Sequence, residues 1–364
     1  MKVKEVMNVL ESAFPLACQE DYDNAGLICG NPESDVIRAL VSLDLTPEVV
    51  HEAVARQCGM VISHHPFIFK GIKKIIADTP AYEIIREAMA EGISLYAVHT
   101  NLDNSYEGLN HSLCDKLGLT GCRILAPKKG LLFKLVTFCP VDHAARVRTA
   151  LFEAGAGRIG NYDSCSYNME GFGTFRAKED AKPFVGQKNV LHQEPEVRIE
   201  VIFPRYLEDD LICALKLAHP YEEVAYDVIT LDNPLDQTGS GMSGTLDKPV
   251  PASEIFTLVK KVLNLPVIRH SGDPATFVKK ISLCTGAGAF LIPDAIRAGS
   301  GLFLTGDLKY HDFHEFRDRI LLADIGHYES ENGVKELISE LLIQKIPNFA
   351  VALSETEKNP VRYF

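Results

Sequence analysis

The sequence predicts an α/β protein in which two similar α/β halves form one discontinuous domain, interrupted by an inserted ferredoxin-like α+β domain. Three observations support this fold class. Apolar strand-like runs alternate with helix-like segments near the start of the chain, the same alternation resumes near its end, and a β-α-β-β-α-β pattern lies between them. The predicted boundaries are 1–124 for the N-terminal half, 125–245 for the insert and 246–364 for the C-terminal half.

The N-terminal half begins with an amphipathic helix pattern and continues as alternating strands and helices. Strands are predicted at 39–43, 60–62 and 95–98, and helices at 47–56, 81–91 and 108–117. Because strands that are connected through helices run parallel, this alternation predicts a mainly parallel sheet.

The insert and the C-terminal half are read in the same way. In the insert we predict a strand at 134–139, a helix at 141–154, a hairpin of 165–167 with 173–177 around Gly171, a strand at 197–203, a helix at 205–217 and a strand at 224–231. In the C-terminal half we predict helices at 252–263, 293–298, 311–318 and 331–343, and strands at 280–284, 302–305 and 320–324.

The composition is that of an ordinary globular protein. Of the 364 residues, 46% are hydrophobic and 24% are charged, which is enough apolar material for two or three domains. The formal net charge of −12 argues against nucleic acid or an anionic membrane as a partner, and no apolar run approaches the roughly 20 residues of a membrane span. The nine cysteines are scattered and odd in number, and the first residues lack a signal-peptide pattern, so we expect a cytoplasmic protein.

Histidine and acidic residues occur at three places where the loops of one sheet are expected to converge. Two sets follow short apolar runs, and the third lies at the start of an amphipathic helix, where a spacing of four places both side chains on one face. Imidazole and carboxylate together form the mixed ligand sphere of a two-metal hydrolase, which accommodates zinc, manganese, iron or cobalt. Adjacent imidazoles at a strand end diverge, which favours two divalent ions over one. The predicted ligands are His64, His65, Asp103, His327 and Glu331.

The charge of this ligand set bears on the substrate. With neutral histidines the ligands contribute −2, so two divalent ions would leave a surplus near +2, which suits an anionic small molecule such as a nucleotide. On the alternative interpretation, each histidine caps a loop or satisfies a hydrogen bond in the core. Three clusters at strand or helix ends favour the metal centre over that alternative.

Other polar residues are weaker candidates for the site. Asn24 and Asn101 are candidate substrate contacts, although Asn24 fits a turn with an Asx hydrogen bond equally well. Lys309 and His311 follow a buried strand and are candidates for phosphate binding or proton transfer, the alternative being a helix start capped by Asp307.

Two glycine-containing or polar segments are best explained structurally. The glycines of segment 286–289 fit a tight turn or close packing better than a phosphate loop, since the lysine of a Walker motif is missing. Segments 155–162 and 219–222 of the insert could line a small-ligand site or a subunit interface, with ordinary turns as the favoured alternative.

The ordered motifs of the whole chain resemble those of the GTP cyclohydrolase I type 2 homologues, also called the Nif-three-like family. The insert resembles the additional domain, similar to the PII and CutA folds, of the longer bacterial members. The resemblance rests on Asp23-Asn24-Ala25-Gly26-Leu27, Ser42-Leu43-Asp44-Leu45-Thr46, His64-His65-Pro66, His99-Thr100-Asn101-Leu102-Asp103, Thr305-Gly306-Asp307, Lys309-Tyr310-His311 and Gly326-His327-Tyr328-Glu329-Ser330-Glu331.

The resemblance implies a toroidal homohexamer with two metal ions in each subunit. It places His65 and Asp103 on one ion, His64 and His327 on the other, and Glu331 between both. It also implies an activity in which the imidazole ring of GTP is opened with release of formate. Guanine specificity therefore depends on the resemblance and not on a purine-binding motif in the residues.

Three functions remain open at this point. The chain could be a metal-dependent GTP cyclohydrolase, a metal-dependent phosphoesterase that leaves the purine intact, or a metal-binding regulatory or scaffold protein whose insert senses a ligand. The mixed ligand sphere favours the hydrolase class over the scaffold.

Overall fold

A computed structural model describes residues 1–77 and 79–363 of the chain. It divides into two compact units, one made of Met1–Pro127 with Asp236–Phe364 and the other of Lys128–Leu235. The predicted insert, 125–245, extends further at its C-terminal end than this second unit. The reason is that the predicted boundary falls inside a long strand, Leu235–Pro251, which belongs to a sheet of the first unit.

The described residues form a mixed α/β structure with several sheets. Before the insert the elements are α1 (Val3–Ala13), β1 (Gly26–Cys29), β2 (Arg38–Ser42), α2 (Pro47–Ala55), β3 (Met60–Ser63), α3 (Pro80–Ala90), β4 (Ser94–Ala97), α4 (Thr100–Asp103), α5 (Leu109–Lys116) and β5 (Thr120–Lys128). The insert contains β6 (Leu132–Pro140), α6 (Ala144–Glu153), β7 (Tyr167–Arg176), β8 (Leu191–Pro204), α7 (Glu208–Ala218) and β9 (Tyr226–Leu231).

The remaining elements follow the insert. They are β10 (Leu235–Pro251), α8 (Ala252–Val262), β11 (Arg269–His270), β12 (Phe277–Ala287), α9 (Ile292–Arg297), β13 (Leu302–Gly306), α10 (Tyr310–Phe316), β14 (Leu321–Asp324), α11 (His327–Glu331), α12 (Val334–Lys345) and β15 (Ala350–Leu353). Short 3-10 helices lie at Leu16–Cys18, Val141–His143, Arg205–Leu207 and Ala289–Leu291. In the part of the chain that the structure describes, no helix has both the length and the apolar character needed to cross a bilayer.

The first unit contains a five-stranded sheet in the order β1-β4-β3-β2-β15. Strands β4, β3, β2 and β15 run parallel, and β1 pairs with β4 in the antiparallel direction. All four residues of β3 and of β4 are buried, as expected for parallel strands covered on both faces.

The C-terminal strand joins the two predicted halves of the discontinuous domain. Strand β15 extends the N-terminal sheet by pairing with β2, and Ile338 of α12 shares a hydrophobic core with Val6 of α1 and Ile62 of β3. The last part of the chain therefore contributes to the N-terminal sheet as well as to its own.

The second sheet of this unit has six strands in the order β11-β14-β13-β12-β10-β5. Its strands β12, β13 and β14 are parallel. Each sheet thus brings the carboxyl ends of parallel strands to one edge, which is where α/β proteins place their functional loops.

Local sequence explains where several helices begin. Thr46 and Thr79 precede prolines at the first positions of α2 and α3, and their hydroxyls accept hydrogen bonds from Val49 N at 3.4 Å and Tyr82 N at 3.3 Å. The helix predicted at 331–343 forms instead as two helices, α11 and α12. The break at Asn332 and Gly333 separates the short helix that carries the site residues from the one that packs in the core.

The insert contains a four-stranded antiparallel sheet in the order β7-β8-β6-β9. Leu135, Val147, Ile199, Leu211 and Leu215 belong to one buried core, which joins the sheet to α6 and α7. The hairpin predicted around Gly171 is wrong. Residues 167–176 form one continuous strand in which Gly171 lies opposite Glu196, because β8 is long enough to pair along all of β7.

Candidate metal centre

The candidate site lies within the first unit, at the carboxyl ends of parallel strands from both sheets. His64 and His65 follow β3, while His99 follows the neighbouring strand β4. His327 and Glu331 are the first and last residues of α11, which comes directly after β14. The predicted helical spacing is confirmed, because the His327 Nε2 and Glu331 Oε2 atoms are 2.9 Å apart.

Glu331 lies between two groups of potential ligands. Its Oε2 is 3.1 Å from His65 Nε2, and its Oε1 is 3.9 Å from His64 Nε2, which is in turn 3.6 Å from Asp103 Oδ1. The structure therefore forms the groups His65–His327–Glu331 and His64–Asp103–Glu331. These groups differ from the sharing that the resemblance implies, since His64 lies with Asp103 and His65 lies with His327. A third group, His64–His65–His99, adds an imidazole that the predicted ligand set lacked.

The residues present fit metal ions because two of their ligand atoms are buried without hydrogen-bond partners. Among the residues described, His64 Nε2 and Asp103 Oδ1 are buried without a hydrogen-bond partner. The side chain of His64 is fully buried, and that of Glu331 is 5% exposed. A buried polar atom without a partner costs about 1–3 kcal/mol, more if it is charged, and a bound divalent cation would satisfy these atoms. Imidazole nitrogen and carboxylate oxygen are suitable ligands for several divalent transition metals.

The opposite ring nitrogen of each imidazole is held by an acceptor. His64 Nδ1 lies 2.8 Å from the carbonyl oxygen of Val98. The other three imidazoles face carboxylates, and each distance is 2.8 Å: His65 Nδ1 to Asp44 Oδ1, His99 Nδ1 to Asp23 Oδ1, and His327 Nδ1 to Asp307 Oδ2. Such partners fix the ring orientation and leave Nε2 as the ligand atom, the usual arrangement around metal-binding histidines.

The sequence contained a signal for these supporting carboxylates that the ligand assignment did not use. Asp44 lies just beyond β2, Asp307 lies just beyond β13, and Asp23 is in the acidic turn before β1. Each belongs to one of the motifs quoted above. Which histidine each carboxylate contacts became visible only in the folded chain.

The pKa values of the three histidines around Glu331, in the absence of metal, depend on burial and on the neighbouring carboxylates. Burial lowers the pKa of His64 to about 3, which keeps its imidazole neutral. Contact with Glu331 raises the pKa of His327 to about 9. Burial alone would lower the pKa of His65, but Asp44 and Glu331 raise it to about 10. Without metal, protons on His65 and His327 thus balance the Glu331 carboxylate.

The pKa values of the two carboxyl groups of the ligand set, Asp103 and Glu331, shift in opposite directions. Burial, followed by the charge of Glu331, raises the pKa of Asp103 well above its usual value. Burial alone would also raise the pKa of Glu331, but the neighbouring His327 and His65 lower it. For Asp23, hydrogen bonds from His99 and Thr100 outweigh burial and lower the pKa to about 2. The Asp23 carboxylate therefore stays ionised beside His99.

A glycine makes room for the carboxylate that both groups share. Gly286 has φ of +63°, and a Cβ atom at this position would overlap Glu331 Oε1. Its N–H donates a hydrogen bond of 3.0 Å to Ser330 Oγ. The structure confirms that this glycine segment serves a tight turn and close packing.

The weaker site candidates occupy different positions. Asn24 is exposed, and its Nδ2 donates to the carbonyl oxygen of Ile68 at 2.7 Å. Asn101 is buried, with its amide donating to Phe14 O at 2.7 Å and accepting from His99 N at 3.0 Å. Both polar atoms of Asn101 thereby make hydrogen bonds within the protein, which hold the His99 loop in place.

Lys309 and His311 lie at the start of α10 and are exposed. The backbone N–H of Lys309 donates to Asp312 Oδ2 at 2.7 Å, which makes Asp312 the capping acid of this helix. Asp307, predicted as the cap in the structural alternative, instead contacts His327. Neither Lys309 nor His311 belongs to the ligand groups around Glu331.

The charge around the centre differs from the sequence-based count. The carboxylates of Asp23, Asp44 and Asp307 add −3 to the −2 of the ligands, so two divalent ions would leave −1. These acids lie behind the imidazoles, on the Nδ1 side. Attraction of an anion therefore has to come from direct contact or from other cations.

Such cations occur directly after His65. The segment of residues 66–77, called the lysine segment here, contains Lys70, Lys73 and Lys74 and no acidic residue. Its Phe69 ring lies 6.0 Å from the His99 ring, measured between centroids. The lysine segment therefore approaches His99 at Phe69.

Comparison with known proteins gives a consistent result along the whole chain. The profile of the family Duf34/NIF3 (NGG1p interacting factor 3) matches residues 1–360. A Bacillus subtilis protein named "GTP cyclohydrolase 1 type 2 homolog" is 34% identical over 368 residues, which cover 99% of this chain and 98% of the relative. A Mycobacterium tuberculosis protein of the same name is 34% identical over 337 residues, or 91% of this chain and 88% of the relative.

Solved structures agree with this match. The crystal structure of a Bacillus cereus protein related to NIF3 superposes with a TM-score of 0.86 at 35% identity, covering 100% of this chain and 99% of the other. A Staphylococcus aureus protein superposes with a TM-score of 0.77 at 29% identity, with the same coverage.

Proposed function

Since the chain belongs to the Duf34/NIF3 family, we propose that it is a dinuclear divalent-metal protein that acts as a metal-dependent hydrolase. One observation carries this proposal. The buried Glu331 carboxylate lies between two groups of unpartnered or closely spaced ligand atoms, each of which could hold one ion. His64 and Asp103 would hold one ion, and His65 and His327 the other.

The chemistry follows from the types of residue at the centre. Divalent ions, when bound there, supply Lewis-acid activation of water and of the substrate. The Glu331 carboxylate belongs to both ligand groups and would therefore contribute to holding both ions. His99 is the residue that we assign to proton transfer at its Nε2, because Asp23 fixes its Nδ1 and it lies outside both groups that contain Glu331.

We propose that the substrate is a nucleotide and that the specific reaction is the ring opening of GTP with release of formate. Its support is twofold. The relatives carry the name "GTP cyclohydrolase 1 type 2 homolog", and the lysine segment next to His99 supplies positive charge for a triphosphate. Phosphoester hydrolysis by the same centre would use the same residues and is separated from ring opening by its products.

The test is to incubate the metal-loaded protein with GTP and identify the products by mass spectrometry. Formate with a pterin precursor supports the proposal. Phosphate with an intact guanine would transfer the assignment to a phosphoesterase. A Glu331→Ala variant should lose the activity, whereas Glu340→Ala, an exposed acid on α12, should retain it. Absence of any product that depends on Glu331 would favour a regulatory or scaffold protein.

We also propose that the insert is a ferredoxin-like domain and that the protein assembles as a toroidal homohexamer in the cytoplasm. The sheet order β7-β8-β6-β9 with two helices supports the first part, because it is the arrangement that a β-α-β-β-α-β unit adopts. The nine cysteines are free, which fits a reducing compartment. Native mass spectrometry tests the assembly, and any stoichiometry other than six would contradict it.

A further inference from the structure

A buried carboxylate close to the end of the chain lies outside both ligand groups around Glu331. Glu357 belongs to the C-terminal tail, defined here as residues 354–363, which follows β15. Its side chain is only 1% exposed, and its Oε1 has no hydrogen-bond partner among the described residues. Leaving a buried carboxylate oxygen unpaired costs free energy, so the contacts of the other oxygen have to offset that cost.

The other oxygen of Glu357 binds the backbone just beyond the end of β2. Its Oε2 accepts a hydrogen bond of 2.9 Å from Leu43 N, and Lys335 Nζ lies 3.4 Å from the same atom. Lys335 is on α12 and is itself buried, with 8% of its surface exposed. Glu357 therefore links the tail to α12 and to the segment after β2, and one buried cation balances its charge.

Leu43 and the residue that follows it hold His65 at two points. The carbonyl oxygen of Leu43 accepts a hydrogen bond of 2.9 Å from His65 N. The Asp44 carboxylate oxygen Oδ1 lies 2.8 Å from His65 Nδ1. Both the backbone and the ring of His65 thus depend on the position of Leu43 and Asp44, and Glu357 binds the N–H of the first of these two residues.

The neighbouring ligand His64 is supported differently. Its backbone nitrogen lies 3.1 Å from the carbonyl oxygens of both Ser42 and Leu43, so it has an acceptor within β2 itself. Its ring nitrogen Nδ1 lies 2.8 Å from the carbonyl oxygen of Val98, which follows β4. A displacement of the segment after β2 should therefore affect His65 more than His64.

The tail also contacts the helix that begins with His327. Asn359 Nδ2 donates a hydrogen bond of 2.9 Å to Glu329 Oε1, and the Tyr363 hydroxyl donates to the same oxygen at 3.3 Å. Glu329 lies on α11, two residues after His327. The tail thus contacts both segments that carry or support His65 and His327, which belong to the same ligand group.

We propose that Glu357 is a positioning residue for the metal centre, which fixes the segment after β2 through Leu43 N and thereby orients His65 as a ligand. This role rests on the proposed dinuclear function. Glu357 belongs to none of the ligand groups, so it acts through Leu43 and Asp44 and not on an ion directly.

Two variants of Glu357 separate positioning from stability in the full-length protein. Glu357→Gln keeps an oxygen that accepts from Leu43 N, whereas Glu357→Ala removes the acceptor. Both remove the charge that pairs with Lys335, so both should lower the urea concentration at which the metal-free protein unfolds. Zinc affinity, measured against a chromophoric chelator, should fall about tenfold in Glu357→Ala and stay within about twofold of the wild type in Glu357→Gln.

Two further measurements test the route through His65. The absorption bands of bound cobalt report the geometry of the ligands, and they should change in Glu357→Ala but not in Glu357→Gln. Asp44→Asn alone should also lower zinc affinity about tenfold. Because both changes act on His65, the double variant with Glu357→Ala should lose clearly less than the roughly hundredfold that independent effects would give.

Glu52→Gln is the matched control at the other end of the tail. The Glu52 carboxylate accepts hydrogen bonds from the hydroxyls of Ser354 at 2.7 Å and Thr356 at 2.8 Å, and it belongs to none of the ligand groups. Glu52→Gln should lose stability towards urea but keep the zinc affinity of the wild type.

Several results would overturn the positioning role. They are wild-type zinc affinity in Glu357→Ala, equal losses of affinity in Glu357→Ala and Glu357→Gln, an equal loss in Glu52→Gln, and full additivity with Asp44→Asn. None of them would affect the proposed dinuclear function if the wild type binds two ions. A wild type that binds one ion would contradict the dinuclear function while the loss in Glu357→Ala remained measurable, and a wild type that binds no zinc would overturn both.

Discussion

Replacing Gly286 by alanine should damage the metal centre more than it damages the fold. Gly286 has φ of +63°, which an alanine adopts at a cost of about 1–2 kcal/mol. Its new Cβ would also overlap Glu331 Oε1, so the carboxylate shared by both ligand groups would have to move. Loss of support around a ligand lowers metal affinity by about 10–100-fold.

Gly299 offers a matched control for the backbone cost. Its φ is +74°, and among the described residues no atom lies within 4 Å of an added Cβ. Gly299→Ala should therefore lose about the same free energy of unfolding as Gly286→Ala, roughly 1–2 kcal/mol, and no metal affinity.

Two assays separate these effects. Urea unfolding of the metal-free variants gives the free energy of unfolding without a contribution from bound metal. Titration of zinc against a chromophoric chelator gives the metal affinity. We expect a loss of affinity of at least about tenfold in Gly286→Ala alone. Wild-type affinity in Gly286→Ala, or an equal loss in Gly299→Ala, would refute the assignment of Glu331 as the shared ligand.

Three further predictions follow from other contacts. Asp307→Asn should lower metal affinity about tenfold in the chelator assay, because the charge behind His327 is lost, whereas Asp312→Asn at the cap of α10 should not. Reversing the three lysines of the segment 66–77 to glutamate should raise the KM for an anionic substrate with little change in kcat; a changed kcat with constant KM would contradict substrate binding there. Glu52→Gln should destabilise the metal-free protein by about 1–3 kcal/mol at pH 7, measured by urea unfolding, because the Glu52 carboxylate accepts several hydrogen bonds. A difference in free energy of unfolding that stays constant down to pH 2 would contradict this role of the carboxylate.

The pH dependence of the Glu52 effect follows from its surroundings. Burial alone would raise its pKa, but donors at Ser354, Glu355 and Thr356, with Arg56, lower the pKa from 4.5 to about 2. A depressed carboxyl pKa stabilises the fold above the unfolded value. That contribution is lost as the pH falls from about 4.5 through 2, so wild type and Glu52→Gln should converge in acid.

Much of the first unit could be predicted because buried parallel strands leave a clear pattern. Strands β3 and β4 are continuous apolar runs, and the polar residues that follow them mark the edge of the sheet. The spacing of His327 and Glu331 gave their contact directly, since both lie on one turn of helix.

The exposed strand β7 was less predictable. All but two of its residues are exposed, and its glycines at 171 and 173 resemble turn residues when only the local sequence is considered. Its identity as one strand depends on β8, whose pairing residues begin at Leu191, fifteen residues after β7 ends at Arg176. Tertiary pairing therefore overrode the local turn pattern.

The local sequence pattern also could not predict which ligands group together, or which carboxylates support them. Asp23 and His99 are 76 residues apart, and Asp44 and His65 are 21 apart, yet each pair is in contact through neighbouring strand ends. Which of two adjacent histidines faces Asp103 depends on side-chain direction at the end of β3. Only the folded backbone fixes that direction.

The number of metal ions bound per chain tests the central claim most directly. After equilibrium dialysis against a divalent metal, elemental analysis of the protein should give two ions per chain in the wild type and in Glu340→Ala. Glu331→Ala should lose both ions, because its carboxylate belongs to both ligand groups. One ion per chain in the wild type, or two retained in Glu331→Ala, would contradict a dinuclear centre built around Glu331.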